Sequence, residues 1–184
     1  ETHVFFRHLL DNNLPTSEFL TAQYTFANPA LARLYHLPVE KSDFPNPDSF
    51  IKVSTEGHPR GGLLGHSSIH TITANGVDTS PIIRGVWLLE NILGTPPSPP
   101  PPDIEPVEPD TRGSTTIRDQ MERHRSDPTC AECHRKIDPL GFALENFDAI
   151  GRFRTNYGPR KKIDASGVLP GCLLYTSDAA DEGL

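Results

Sequence analysis

Apolar residues fall at helical spacing in three stretches of this chain and lose that spacing between them. In residues 1–38, Val4, Phe5, Phe6, Leu9 and Leu10 crowd one side of a short helix. Pro15-Thr16-Ser17-Glu18 supplies the start of a second helix. Asn28-Pro29 reads as N-cap and first position of a third, through Ala30, Leu31, Leu34 and Leu37, which Pro38 stops. Residues 39–60 contain Pro45, Pro47 and Pro59 and few periodic apolar positions, which predicts loop. Leu63 to Thr73 shows a partial alternation through Ile69 and Ile72 that does not fix the element. Ser80-Pro81 then opens a helix through IIRGVWLLENIL, ended by Gly94. Further on, Ser114-Thr115-Thr116 begins a helix through Ile117, Met121 and His124, closed by Asp127-Pro128. A second runs from about Thr129 to Ile137. A third starts at Asp138-Pro139 and passes through Phe142, Leu144, Phe147 and Ile150 to Gly151.

Composition changes this picture in two ways. Nineteen prolines and fourteen glycines demand long irregular segments, and eight of the prolines lie between Pro96 and Pro109. Such a stretch lacks many of the amide hydrogens that a helix or ladder needs and favours extended polyproline II, so it reads as a stiff strap. Hydrophobic residues make up 35% and mean hydropathy is −0.43, enough for a modest core. The net charge of −7 comes without a basic cluster, which argues against a nucleic-acid partner. No apolar run approaches the roughly 20 residues of a membrane span. The chain opens at Glu1 without methionine or signal peptide, so a fragment of a longer protein is expected.

The C-terminal text CLLYTSDAADE resembles the translation of a sequencing-library transposase adapter. Setting aside Cys172–Leu184 removes Asp178, Asp181 and Glu182, bringing −7 to −4, and leaves two cysteines of the original three. Cys172 is therefore not recruited as a ligand or disulfide partner.

The two remaining cysteines carry the chemistry. Cys130-Ala131-Glu132-Cys133-His134 is C-x-x-C-H, the attachment signature of c-type haem. On a helical turn, cysteines three apart share a face and can each form a thioether to a porphyrin vinyl group, while His134 offers its imidazole to the iron from the proximal side. The alternative is a zinc-stabilised interaction module, with His134 and His124 completing a Cys₂His₂ set, although adjacent Cys and His are poorly placed to chelate one ion. A thioredoxin-like pair lacks its βαβ surroundings, and so small a disulfide loop is an uncommon staple.

Three blocks in order, RGGLLGHSSIHTITAN, TSPIIRGVWLLENILGTPPSPPPPDIEP and CAECHRKIDPLGFALENFDAIGRFR followed by IDASGVLP, resemble a domain family of unknown function. That family occurs in large exported planctomycete proteins carrying cytochrome-c-type modules. The resemblance covers about residues 55–170, and TAQYTFANPALARLYHLP resembles the end of the domain that precedes it in those proteins. It implies a secreted or periplasmic haem protein normally fused to further domains. The organisation expected is then the end of a preceding helical domain at 1–38, the first half of the family domain at 39–95, the Pro-rich strap at 96–112, the haem-c-attachment region at 113–171 and adapter-derived text at 172–184. The fold expected is mostly α, a small cytochrome-c-like helical region joined by the strap to a helical N-terminal part.

The function expected is one-electron transfer through haem c to an unidentified redox partner, as a module rather than a stand-alone enzyme. Cofactor binding is assigned to Cys130, Cys133 and His134, with His134 the proximal iron ligand. His66, in the Gly-flanked turn GLLGHSS, is the first candidate for the distal position, with His70 and His124 behind it. Met121 sits at core spacing with Ile117 and reads as packing. An open site or a ligand from outside the chain remains compatible. Leu140, Phe142 and Phe147 are either a porphyrin wall or plain core, and Trp87 an anchor of the core. Arg84 and Arg152 are either propionate partners or solvated charges, and Asp138 and Asp148 are cap and turn residues. Deleting Cys172–Leu184 should leave the thermal midpoint unchanged within error. A midpoint lowered by many degrees would show that the tail is native protein.

Overall fold

The computed structural model describes residues 1–99, 116–124, 128–159 and 161–167, with the backbone alone at 123, 124 and 128–130. Most of the expected strap and the whole of residues 172–184 lie outside the described residues. The chain divides into two compact units, Glu1–Ile72 with Ile150–Phe153, and Thr73–Ala149 with Arg154 onward.

The first unit mixes helix and sheet. Helix α1 (Thr2–Asp11) buries Phe5 and Leu9 and leaves Phe6 and Leu10 exposed, so its apolar side is narrower than the sequence suggests. A single helical turn, α2 (Glu18–Thr21), is followed by strand β1 (Tyr24–Ala27) and helix α3 (Pro29–Tyr35). Asn28 caps α3 by accepting from the Leu31 amide at 2.9 Å, with Pro29 at the first helical position. The helix ends two residues before the expected stretch closes at Leu37. His36 adopts φ +55°, and its amide and that of Leu37 return to the last-turn carbonyls before Pro38 is reached. Strand β1 pairs antiparallel with β2 (Ile51–Ser54), Tyr24 opposite Ser54 and Ala27 opposite Ile51.

Residues 1–38 are therefore not wholly helical, and 39–60 is not all loop. It holds a 3₁₀ turn at Lys41–Asp43 as well as β2. Four-residue strands give too few positions for a period to register, and what defines them is their pairing. Leu63–Thr73, left open by its alternation, forms a 3₁₀ turn (Leu63–Gly65) and helix α4 (Ser67–Ile72). The mostly-α fold is thus corrected to a mixed one of helices, an antiparallel two-stranded sheet and long irregular segments.

The second unit is built on two helices. Helix α5 (Pro81–Asn91) starts as the sequence predicts, with Ser80 accepting from the Ile83 amide at 3.3 Å, and Gly94 takes φ +63° just beyond its end. Helix α6 (Ile117–His124) buries Ile117 and Met121 against Phe142, so Met121 is core. Helix α7 (Pro128–Ala143) is one continuous element where two were expected. Pro139 lies inside it rather than at a start. Proline has no amide to donate to the carbonyl four residues back, a local loss that the helix absorbs because its far end is buried on Ile137, Leu140 and Phe142. Beyond Ala143 the chain tightens into successive 3₁₀-type turns through Phe147.

Helices α5 and α7 cross with a glycine of each against the backbone of the other. A Cβ on Gly85 would collide with the Ile137 carbonyl, and one on Gly141 with the Pro81 carbonyl. Helix propensity alone favours Gly141→Ala by up to about 1 kcal/mol. Backbone contact on both sides instead makes it destabilising by about 1–3 kcal/mol, the scale of an overpacked core. Urea unfolding decides the sign, and a stabilised variant would show that the helices part freely.

Candidate functional site

Helix α7 holds the C-x-x-C-H residues. Positions 130, 134 and 138 recur at intervals of four, so they share one side of the helix. The side chain of Cys130 lies outside the described residues, as does that of His124. Cys133 is a half-buried free thiol. His134 is 12% exposed, and its Nδ1 lies 2.7 Å from Oδ1 of Asp138, which is 1% exposed. With a carboxylate as acceptor, Nδ1 is the donor and Nε2 carries the ring's lone pair. Asp138 is therefore not the helix cap expected of it. It sits within the helix, one turn after His134, and fixes that ring's orientation and tautomer. The signal was present as His-x-x-x-Asp at i, i+4 spacing.

The segment after α7 is held from α5. Arg84 is fully buried and donates through Nη1 to the carbonyls of Leu144 (3.0 Å) and Phe147 (2.8 Å), and through Nη2 to that of Asp148 (3.0 Å). Its Nη1 also lies 3.6 Å from Oε2 of the buried Glu145. Arg154 approaches the other carboxylate oxygen at 2.8 Å, and Thr79 donates to the same oxygen. Burial raises the Glu145 carboxyl, and Arg84, the Thr79 hydroxyl and Arg154 oppose that rise. Arg84 is thus neither a propionate partner nor a solvated charge but the clamp of the α7 exit. Arg152 is exposed. Leu140, Phe142 and Phe147 are buried, Phe142 in the cluster with Ile117 and Met121, while Trp87 is only half-buried.

His66 belongs to the first unit. It is 1% exposed, its Nδ1 is 3.0 Å from Thr2 Oγ1, and Phe5 meets its ring edge-on at 5.0 Å. Burial pushes its pKa down to about 3, with Arg60 acting the same way, so its imidazole is neutral. Around it Glu1 accepts from Tyr35 (2.6 Å) and Thr25 (2.8 Å), and Arg60 lies over the Tyr35 ring at 3.6 Å. His70 is buried in the same unit. Among the described residues no cluster of three His, Cys, Asp or Glu side chains is arranged to hold a metal ion. Among those residues no helix is long and apolar enough to cross a membrane.

The comparisons point to a cytochrome-like domain of unknown function. The chain belongs to the family PSCyt3, a protein family of unknown function (DUF1588), whose model matches residues 60–157, more than half of the sequence. A second model of unknown function, PSD4 (DUF1592), matches residues 1–37. No curated protein and no solved structure matches the chain significantly.

Removing the Arg84 guanidinium leaves three carbonyls without their donor and Glu145 buried with less compensation. Arg84→Ala should cost about 3–5 kcal/mol in urea unfolding, the scale for breaking a buried pair. The exposed Arg33→Ala should stay within about 0.5 kcal/mol. Equal effects at both positions would mean that the clamp does not hold the fold.

Proposed function

We propose that helix α7 is the attachment helix of a covalent haem c, and that the chain is a one-electron-transfer module of an exported, multidomain protein. The observation that carries this reading is the 2.7 Å bond from His134 Nδ1 to the buried Asp138 carboxylate. A histidine that ligates through one ring nitrogen commonly donates the other to a carboxylate or carbonyl. Here that arrangement falls on the histidine of a C-x-x-C-H motif, on a rigid helix, in a chain whose family name is cytochrome-like.

The residues fit the group in their chemistry. Cys130 and Cys133 would hold haem as thioethers, each thiol adding across a vinyl group with its proton passing to the second carbon, so that no oxidant would be required. His134 supplies Nε2 as proximal ligand, and Asp138 holds the ring against rotation. Bound in this way, haem supplies a one-electron couple tuned by axial ligand, burial and hydrogen bonding. Attachment needs reduced cysteines and haem on the same side of the membrane, which for c-type haem is the exported side, so the compartment is periplasmic or extracellular.

The full chain, expressed with an export signal in a host that matures c-type haem, should show a haem band that survives denaturing electrophoresis. Cys130→Ala with Cys133→Ala should abolish the band, and His134→Ala should shift the ferric and ferrous spectra. Stoichiometric zinc with no covalent haem would replace this reading with the interaction module.

A further inference from the structure

The carboxylate behind His134 has a consequence beyond orientation. A neutral acceptor such as a backbone carbonyl would fix the ring equally well. Asp138 instead brings a full negative charge to 2.7 Å from Nδ1, and it does so from a site 1% exposed, where water competes little for the bond. The pair is set by i, i+4 spacing within one helix, so no loop motion separates its members. Asp138 is also tied to the helix crossing, since its neighbours Ile137 and Gly141 form the contact with α5.

A carboxylate accepting from Nδ1 shifts electron density toward Nε2 and strengthens that nitrogen as a donor. A stronger donor and a nearby anion both favour the more positively charged oxidation state of a metal bound at Nε2. We infer that Asp138 is a positioning residue that, through its hydrogen bond to Nδ1, makes His134 a strong donor ligand and so holds the bound iron toward its ferric state. This inference rests on the haem reading above. It assigns the module to the reducing end of an electron-transfer chain, as a donor to partners of higher potential.

The test uses the full chain matured with covalent haem, and it begins with Asp138→Asn, which keeps the shape and removes the charge. At a fixed applied potential its ferric-to-ferrous ratio should fall about tenfold, which is about 59 mV upward for one electron. Asp138→Glu, which restores a carboxylate, should recover most of that shift. In the diamagnetic ferrous wild type, with carbon monoxide added if the distal position is open, the His134 Nδ1 proton should give a strongly downfield resonance protected from exchange. That measurement decides the matter even if neither variant folds. A haem-loaded Asp138→Asn protein with unchanged potential overturns the inference and leaves the haem reading intact. So does a wild type whose Nδ1 proton exchanges with solvent freely. A wild type without covalent haem overturns both.

Discussion

Two helices of the second unit approach so closely that backbone meets backbone at their crossing, and most of what is distinctive about that unit follows from it. Gly85 lies against the Ile137 carbonyl and Gly141 against that of Pro81, so each helix takes from the other the space a side chain would need. Contact of this kind fixes axial register as well as separation, because only the glycine positions admit it. Once the register is fixed, Arg84, one residue before Gly85, faces the chain leaving α7 and collects the carbonyls of residues 144, 147 and 148. A charge buried this deeply persists when most of its donors are bonded and its charge is met; Arg84 gives its two terminal nitrogens to three carbonyls, its Nε stays unbonded, and Glu145 meets the charge.

That frame explains why α7 runs through a proline that the sequence presents as a boundary. X-Pro disfavours the helical region for the residue before it and removes one intrahelical bond. Against that local cost stands the burial of Ile137, Leu140 and Phe142, together with the α5 crossing. Were α7 to end at Ile137, Asp138 would become a cap at a new start and would lie outside the turn that places it behind His134. Continuity through Pro139 is therefore what joins the motif's histidine to its carboxylate.

The readable parts of the sequence were those fixed by neighbours in the chain. Ser80-Pro81 and Asn28-Pro29 were legible as helix starts because capping is local, and C-x-x-C-H because its five positions are contiguous. The sheet was not legible, since Tyr24–Ala27 and Ile51–Ser54 acquire their meaning from each other across a segment that looks like loop. Arg84 was misread for the same reason. Nothing within α5 announces that its partners lie some sixty residues on. Asp138 falls between these cases. Its i, i+4 relation to His134 is local, but the proline beside it supplied a competing local explanation.

Two buried carboxylates in one unit separate structural from chemical work. Glu145 is met by two guanidiniums and a threonine hydroxyl, and its charge is compensated within the fold that it helps to hold. Nothing about that cluster calls for a further group. Asp138 is bonded instead to an imidazole, a partner whose second nitrogen would serve as the iron ligand in the haem reading proposed above. A carboxylate that served only stability would find a better partner in arginine, whose charge is permanent and whose donors are paired. A buried carboxylate bonded to a histidine makes physical sense when the histidine's remaining nitrogen has something to bind, and the haem proposed above would supply it.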